Sequence, residues 1–342
     1  MALLQYLGRP QIGQNWGFKP GMISAYPYCA MVNRVIKNTL DPFIVDTPVE
    51  TIHDVLKHEY KGQTYEDICL ARAEYFRSLP NKKFIMWSGG IDSTLVVISF
   101  LKTHSKQELE NVNIVASSES INEFPEFWND IVSHFKGRIH SSHFHIEKYL
   151  KQGIVVTGEF GDQSMGSDVI KLISTKYGEE ALFEPFEKIM PHHYTDSYGY
   201  NTFVETYKPT VEYSLYPIKT VYDWTWWINF TNKWNSVKYR LLQVQGWEDA
   251  KTNFKNMHHF FDTIDFQLWS MNSPHLKIKD TLQSYKFHAK DLIIEYTGYT
   301  NYVKKPKIGS LGRIWSVKSI HVGIDTEFNF LSNEDLKRYV NK

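Results

Sequence analysis

The sequence predicts an α/β protein: a parallel sheet covered by helices on both faces, followed by a mainly helical second half. Three observations carry that expectation. Short apolar runs alternate with helical stretches from residue 83 to residue 157, the first run passes at once into a glycine pair that opens a helix, and beyond about residue 167 strand-like runs give out. Strands separated by helices of this length pair in parallel, because each crossover returns the chain to the same end of the sheet.

KFIMW (83–87) is the first strand, and TLVVISFLK (94–102) has the unbroken apolarity of a buried helix. VNIVA (112–116) follows as the second strand, Glu126–Phe135 as a helix, RIHSSHF (138–144) as the third strand and GIVVT (153–157) as the fourth. Upstream, Thr47 with Pro48 and Glu50 is placed to start one helix, and Thr64 with Asp67 a second that ends before Pro80. Residues 1–46 show little periodicity beyond a short strand at Pro42–Val45. In the second half Glu179–Met190, Val221–Gln245, Phe261–Met271 and Lys286–Tyr296 read as helices, and Glu334–Tyr339 as a last one capped by Ser332. The expected divisions are an N-terminal extension at 1–79, a main unit at 80–320 (sheet part 80–166, helical part 167–320) and a tail at 321–342.

A chain of 342 residues can bury a sizeable core. Its 38 Lys and Arg balance 38 Asp and Glu, so no long-range field draws nucleic acid, which is not an expected partner. Cys29 and Cys69 lie too far apart for a CxxC site and form no disulfide framework, which fits a reducing compartment. With no signal-peptide pattern and no run approaching about 18 apolar residues, the expectation is a soluble, cytoplasmic chain without membrane contact. Trp224, Trp227, Phe230 and Trp234 share one helical face and read as core. His140, His143 and His145 read as ordinary histidines, because the first two would face opposite sides of a strand.

The chemistry concentrates in Ser88-Gly89-Gly90-Ile91-Asp92-Ser93-Thr94, set between a strand and a helix. Ligands of open α/β sheets bind beyond the carboxyl ends of the strands, where a helix N-terminus offers N–H groups and a positive dipole. Paired glycines let the backbone approach an anion, and Ser88, Ser93 and Thr94 add hydroxyls. Asp92 would repel a phosphate unless it holds a divalent cation that bridges to it. The segment lacks the Lys of GxxxxGK[ST] and the spacing of GxGxxG.

This loop matches the SGGxDS motif of the ATP pyrophosphatases, or PP-loop enzymes. A second segment, Gly158-Glu159-Phe160-Gly161-Asp162-Gln163-Ser164-Met165-Gly166, resembles the [ST]GEGxDExxGG stretch of the synthetase domain of asparagine synthetases. The resemblance implies a doubly wound sheet of the adenine-nucleotide α-hydrolase type, with ATP and Mg²⁺ as cofactors. It implies that Ser88, Gly89, Gly90, Asp92, Ser93, Thr94 and Gly158 hold the phosphates, with adenine near Met86, Val115 and Ala116. Asp92 and Asp162 become the magnesium ligands, and Glu159 the catalytic glutamate near the attacking amine. Lys286 and Lys290 resemble the family's K-x-x-[LV]-[RK] helix. YVKKPKIGS (302–310) resembles its R-x-K-x-x-F segment, with Lys305 the best match for the lysine that steadies pyrophosphate and Lys304 and Lys307 close to it. Phe261 and Asp262 resemble part of an [RE]xPFLD segment. The chain departs at Phe160, where the family has Gly, and at Gln163, where it has Glu.

Glutamine-using members begin with a glutaminase domain whose nucleophile is Cys at position 2. Here residue 2 is Ala and roughly 80 residues precede the loop. The expected reaction is adenylation of a small-molecule carboxylate or carbonyl, with ammonia or another amine as donor, either free or delivered by a separate glutaminase. A nucleobase- or tRNA-modifying PP-loop enzyme and a non-catalytic ATP-binding scaffold are the alternatives.

Overall fold

In the computed structural model five parallel strands form the sheet: Lys83–Met86 (β1), Val112–Ala116 (β2), Gly137–His140 (β3), Ile154–Thr157 (β4) and Met257–His259 (β5). The structure describes residues 3–5, 34–35, 50–140, 146–167, 169–193, 200–201, 204–205, 208–234, 237, 255–304 and 323–325. The strand order is β3-β2-β1-β4-β5. In the β1–β4 pair Lys83 lies beside Ile154 and Met86 beside Thr157. Outside the sheet, Leu3–Gln5 pairs antiparallel with Gly323–Asp325.

Strands β1, β2 and β4 are buried along their whole length, as continuous apolar runs demand when both faces are covered. Side chains alternate between the faces. Ile85, Ile114, Ala116, Ile154 and Val156 join the main core, whereas Phe84, Met86, Val115, Val155 and Met257 pack with Ile146, Tyr149 and Leu150.

The helices are Ile52–Leu56 (α1), Tyr65–Ser78 (α2), Ile91–Thr103 (α3), Ser118–Glu123 (α4), Pro125–Asp130 (α5) and Ile146–Leu150 (α6). They continue as Gly161–Met165 (α7), Ile170–Tyr177 (α8), Phe186–His193 (α9), Val221–Ile228 (α10), Ile264–Asn272 (α11) and Phe287–Thr297 (α12). Helices α2, α3 and α12 pack together as one layer, and α6 lines the other face. Residues 65–78 therefore form part of the sheet's covering layer. A separate cluster built on Ile173, Leu182, Phe186, Val221 and Trp224 holds α8, α9 and α10 together.

Several expectations need correction. Strands do not end near residue 167: β5 comes from 257–259 and completes the sheet. Of the run 138–144, the described part is strand, Gly137–His140, and 141–144 lie outside the described residues. The helix expected at 126–135 is α5 followed by a 3₁₀ turn at Val132–His134. That at 179–190 splits into a 3₁₀ turn, Glu179–Leu182, and α9, because Pro185 makes an isolated antiparallel bridge to Thr220. After α10 the chain widens into a π-helical turn, Asn229–Lys233. Helix α11 starts at Ile264, where Thr263 caps it.

Helix α1 is capped by Thr51 with Asp54, not by Thr47 with Glu50, while α2 carries the expected reciprocal box of Thr64 and Asp67. Thr47, Pro48, Pro42–Val45, Ser332 and Glu334–Tyr339 lie outside the described residues. Trp224, Trp227, Phe230 and Trp234 are buried, as core packing requires.

Glu50 has another role, as a partner of Arg34. The Arg34 guanidinium is wholly buried and donates to the Glu50 carbonyl (2.8 Å) and carboxylate (3.3 Å), to the Phe230 carbonyl (3.3 Å) and to Gln267. It also lies over the rings of Phe230 and Trp234, 5.3 and 5.0 Å from their centroids. Burial lowers its pKa to about 10 against the opposing pull of Glu50.

One pH effect follows from β5. Burial, then Arg72 and His259, push the His258 imidazole down to about 4. The unfolded chain takes up this proton near pH 6.5, so stability is full above that pH and falls as pH drops toward 4. The slope is at most about 1.4 kcal/mol per pH unit and is reduced by the ring's partial solvent contact. Urea midpoints from pH 7 to pH 4 are expected to fall less steeply in His258→Gln; an unchanged slope would show that His258 is not the group involved.

Candidate active site

The strand order reverses between β1 and β4, the position at which open α/β sheets commonly bind ligands beyond the carboxyl edge, and the loops leaving these two strands meet there. The first loop is built by its own side chains. The Trp87 backbone N–H donates to the Val115 carbonyl (2.9 Å), and its indole N–H donates to Thr94 Oγ1 (3.1 Å) while the ring stacks on Phe127 and Trp128. Ser93 Oγ accepts from the Ser88 N–H (3.0 Å) and lies 2.9 Å from Ser88 Oγ, which accepts from the Gly90 N–H (3.3 Å). Gly90 is the N-cap of α3 and supplies no capping side chain of its own; Ser88 Oγ takes its N–H, and Glu123 Oε1 lies 3.6 Å from where a Cβ on Gly90 would stand.

Gly89 has φ +77°, and a Cβ there would overlap the Ser120 carbonyl oxygen and stand 2.8 Å from Glu123 Cβ. Gly89→Ala is expected to lose about 2–4 kcal/mol, roughly 1–2 from the left-handed backbone and the rest from the overlap. Gly62→Ala is the control, with φ +73° and open space around the site, and should lose only the backbone part. Urea denaturation of the two variants tests this; equal losses would refute the close approach to Ser120.

The second loop follows β4. A Cβ on Gly158 would stand 2.8 Å from the Ser93 backbone N, and one on Gly161 would overlap the Asp92 carboxylate. The two loops therefore interlock at glycines. Phe160 has φ +75°, a left-handed conformation uncommon for a residue with a side chain. Its ring is held by Trp234 and His259, with centroids 4.5 and 5.2 Å away. Residue 160 thus has a backbone conformation that Gly adopts freely, and ring packing holds Phe there. Gln163 turns inward and donates to Asn229 Oδ1 (3.3 Å). Asn229, in the π-helical turn, in turn donates to the carbonyls of Asp162 (3.3 Å) and Gly166 (2.7 Å) and clasps α7 at both ends.

A third element closes the constellation. Lys286 precedes α12 with φ +59°, and its backbone N–H donates to the Lys277 carbonyl (2.7 Å). Its ammonium donates to Asp92 Oδ1 and Oδ2 (both 2.7 Å) and lies 2.8 Å from Asp162 Oδ1. The Tyr285 hydroxyl donates to the same Asp162 oxygen (3.2 Å). Lys286 is 3% exposed, against 20% and 34% for the side chains of Asp92 and Asp162. Burial alone would lower the lysine's pKa, but Asp162 and Asp92 outweigh it and the net shift is upward. Lys290, one turn further on, is pushed down to about 8 by burial and by Lys286. It donates to the Gln283 carbonyl (2.7 Å).

Of the residues singled out by sequence, Asp92, Asp162 and Lys286 meet at one point, while Ser88, Gly90, Ser93 and Gly158 pack with one another in the two adjoining loops. Glu159 is half-buried in the second loop, where its N–H donates to Thr157 Oγ1 (3.4 Å). Met86, Val115 and Ala116 are buried in the sheet. Lys305 and Lys307 lie outside the described residues, as does the side chain of Lys304. Asp262 accepts from the Trp234 indole (3.0 Å). Residues that sequence reading missed are Glu123, Ser120, Asn229, Tyr285 and Tyr302; the Tyr302 hydroxyl bonds Thr94.

The donor set suits magnesium in a specific sense. No group of three or more His, Cys, Asp and Glu side chains converges among the described residues. Two carboxylates do converge on one cationic atom, and magnesium commonly takes one or two carboxylates together with phosphate oxygens.

No known protein family, curated protein or solved structure matches the chain. Among the described residues no helix is long and apolar enough to cross a membrane.

Proposed function

We propose that the chain is a cytoplasmic AMP-forming ligase of the PP-loop type, built on a doubly wound sheet. The observation that carries this reading is the meeting of Asp92, Asp162 and Lys286 where the strand order reverses, beside the start of α3. Two loops that each bring one carboxylate to the positive end of a helix suit a polyphosphate with its cation better than a bare anion.

In this reading the loop from Ser88 to Thr94 binds the β and γ phosphates through backbone N–H groups and the Ser88 and Ser93 hydroxyls. Asp92 and Asp162 would hold magnesium, which when bound neutralises charge on the leaving pyrophosphate. A carboxylate oxygen of the acceptor attacks the α-phosphorus, the bond from that phosphorus to the bridging oxygen breaks, and pyrophosphate leaves. An amine then attacks the acyl carbon and loses a proton to Glu159, while AMP departs with the electron pair of the C–O bond. Activation is needed because a carboxylate oxygen is a poor leaving group and AMP a good one. Lysines 286, 290 and 305 are the candidates for steadying pyrophosphate, since positioned positive charge supplies much of the rate in phosphoryl chemistry.

Incubation with Mg²⁺, labelled ATP, and a panel of amino acids, nucleotides and ammonium tests the reading. AMP and pyrophosphate in equal amounts, dependent on one acceptor, are expected. Formation of ADP, or no cleavage of bound ATP with any acceptor, would overturn it.

A further inference from the structure

We infer that Lys286 is the resident counter-ion of the metal position, and that it keeps free divalent cations out of the site until a polyphosphate arrives. This rests on the nucleotide reading of the Asp92–Asp162 pair and adds to it the form in which metal enters: as the metal–nucleotide complex.

The argument begins with valence. An ammonium has three N–H bonds, and here it faces both Asp92 oxygens and Asp162 Oδ1 at 2.7–2.8 Å. Those are oxygens that a metal would need, so lysine and metal cannot both occupy the position. The lysine is also built into place rather than reaching in from a mobile stem. It is 3% exposed, its N–H is held by the Lys277 carbonyl, and its own carbonyl accepts from the Lys290 N–H (3.0 Å). Its left-handed backbone is a conformation that a non-glycine residue keeps only when the surroundings impose it. Tyr285 donates to Asp162 and Lys290 lies one turn along α12, and neither supplies negative charge.

With Lys286 in place the two carboxylates and one ammonium carry a net charge of −1. A free divalent cation would have to displace a buried ammonium into a poorly solvated space. An incoming triphosphate changes that balance, because it offers the displaced ammonium new anionic partners and the metal new oxygen ligands.

The test uses Mn²⁺, read as loss of the free-ion signal in electron paramagnetic resonance. It compares the full chain with Lys286→Met and with Lys286→Gln, which keeps hydrogen-bonding capacity without charge. In the absence of nucleotide both variants are expected to bind one Mn²⁺ at least tenfold more tightly than the unmodified chain, and Asp162→Asn added to Lys286→Gln should abolish the gain. Equal Mn²⁺ affinity in the unmodified chain and in both variants would overturn the inference. A variant that is unfolded by circular dichroism but regains its fold on addition of Mn²⁺ supports it, and failure of Mn²⁺ to restore either variant counts against it. A parallel titration with α,β-methylene-ATP separates the two readings. Failure of the unmodified chain to take up Mn²⁺ with this analogue would sink the nucleotide reading, while tighter Mn²⁺ binding by the variants would still uphold the role of Lys286.

Discussion

Replacing Asp92 by Asn is expected to reduce AMP formation by about 10³-fold or more, equivalent to roughly 4 kcal/mol in the barrier. Asp92 gives both its oxygens to the point where Lys286 sits, and it is the more enclosed of the two carboxylates. Asp162→Asn should have a smaller effect, about 10²-fold, because one oxygen is engaged and the side chain is more open to solvent. Asparagine keeps one acceptor oxygen in each case, so the fold should be retained, with some loss of thermal stability because the buried Lys286 ammonium loses part of its compensating charge. The measurement is kcat/KM with the acceptor that supports pyrophosphate release, alongside a thermal melt. Full activity in both variants would remove the carboxylate pair from the mechanism.

Arg34→Ala is expected to have the largest effect on stability, a loss of about 3–5 kcal/mol in urea unfolding. The guanidinium joins Glu50, Gln267 of α11 and the Phe230 carbonyl; its removal takes a buried donor from all three and leaves the Glu50 carboxylate with the Gln267 amide (2.8 Å) but without its buried cation. Arg34→Lys should restore only part of the loss, since an ammonium cannot reproduce the planar fork that meets separate acceptors. The effect should extend to the second loop, because Trp234 packs against both Arg34 and Phe160. A loss below about 1 kcal/mol would show that residue 34 contributes little to holding this part of the chain.

Strands β1, β2 and β4 were legible because each is a largely apolar run set off by turn residues, β3 (GRIH) only from its place in the alternation of strands and helices, and the Ser88–Thr94 loop because its glycines follow β1 directly. The fifth strand was not. Met257-His258-His259 is three residues long and carries two imidazoles, so it offers neither an apolar run nor alternation; its place is set by pairing with β4. The π-helical turn was equally hidden, since Trp224, Trp227, Phe230 and Trp234 fit a regular helical face as well as a widened one.

In the candidate site the residue types of Asp92, Asp162 and Lys286 were readable, but their meeting was not. It depends on left-handed backbone at Phe160 and Lys286, where neither residue signals that conformation as Gly or Asn would. Glu123 gave no local sign either: it comes from a short amphipathic stretch and reaches the first loop only through the close approach of Gly89 to α4.

The late arrival of β5 bears on how the protein is made. During synthesis β4 emerges with the other early strands, yet the partner for its outer edge is encoded a hundred residues further on, from Thr157 to Met257. Until then Val155, Val156 and Thr157 present an unpaired edge, the kind of surface that recruits strands from other nascent chains. The ribosome must therefore deliver much of the helical half before this edge closes. Fragments cut between the two strands would carry a permanent template for aggregation.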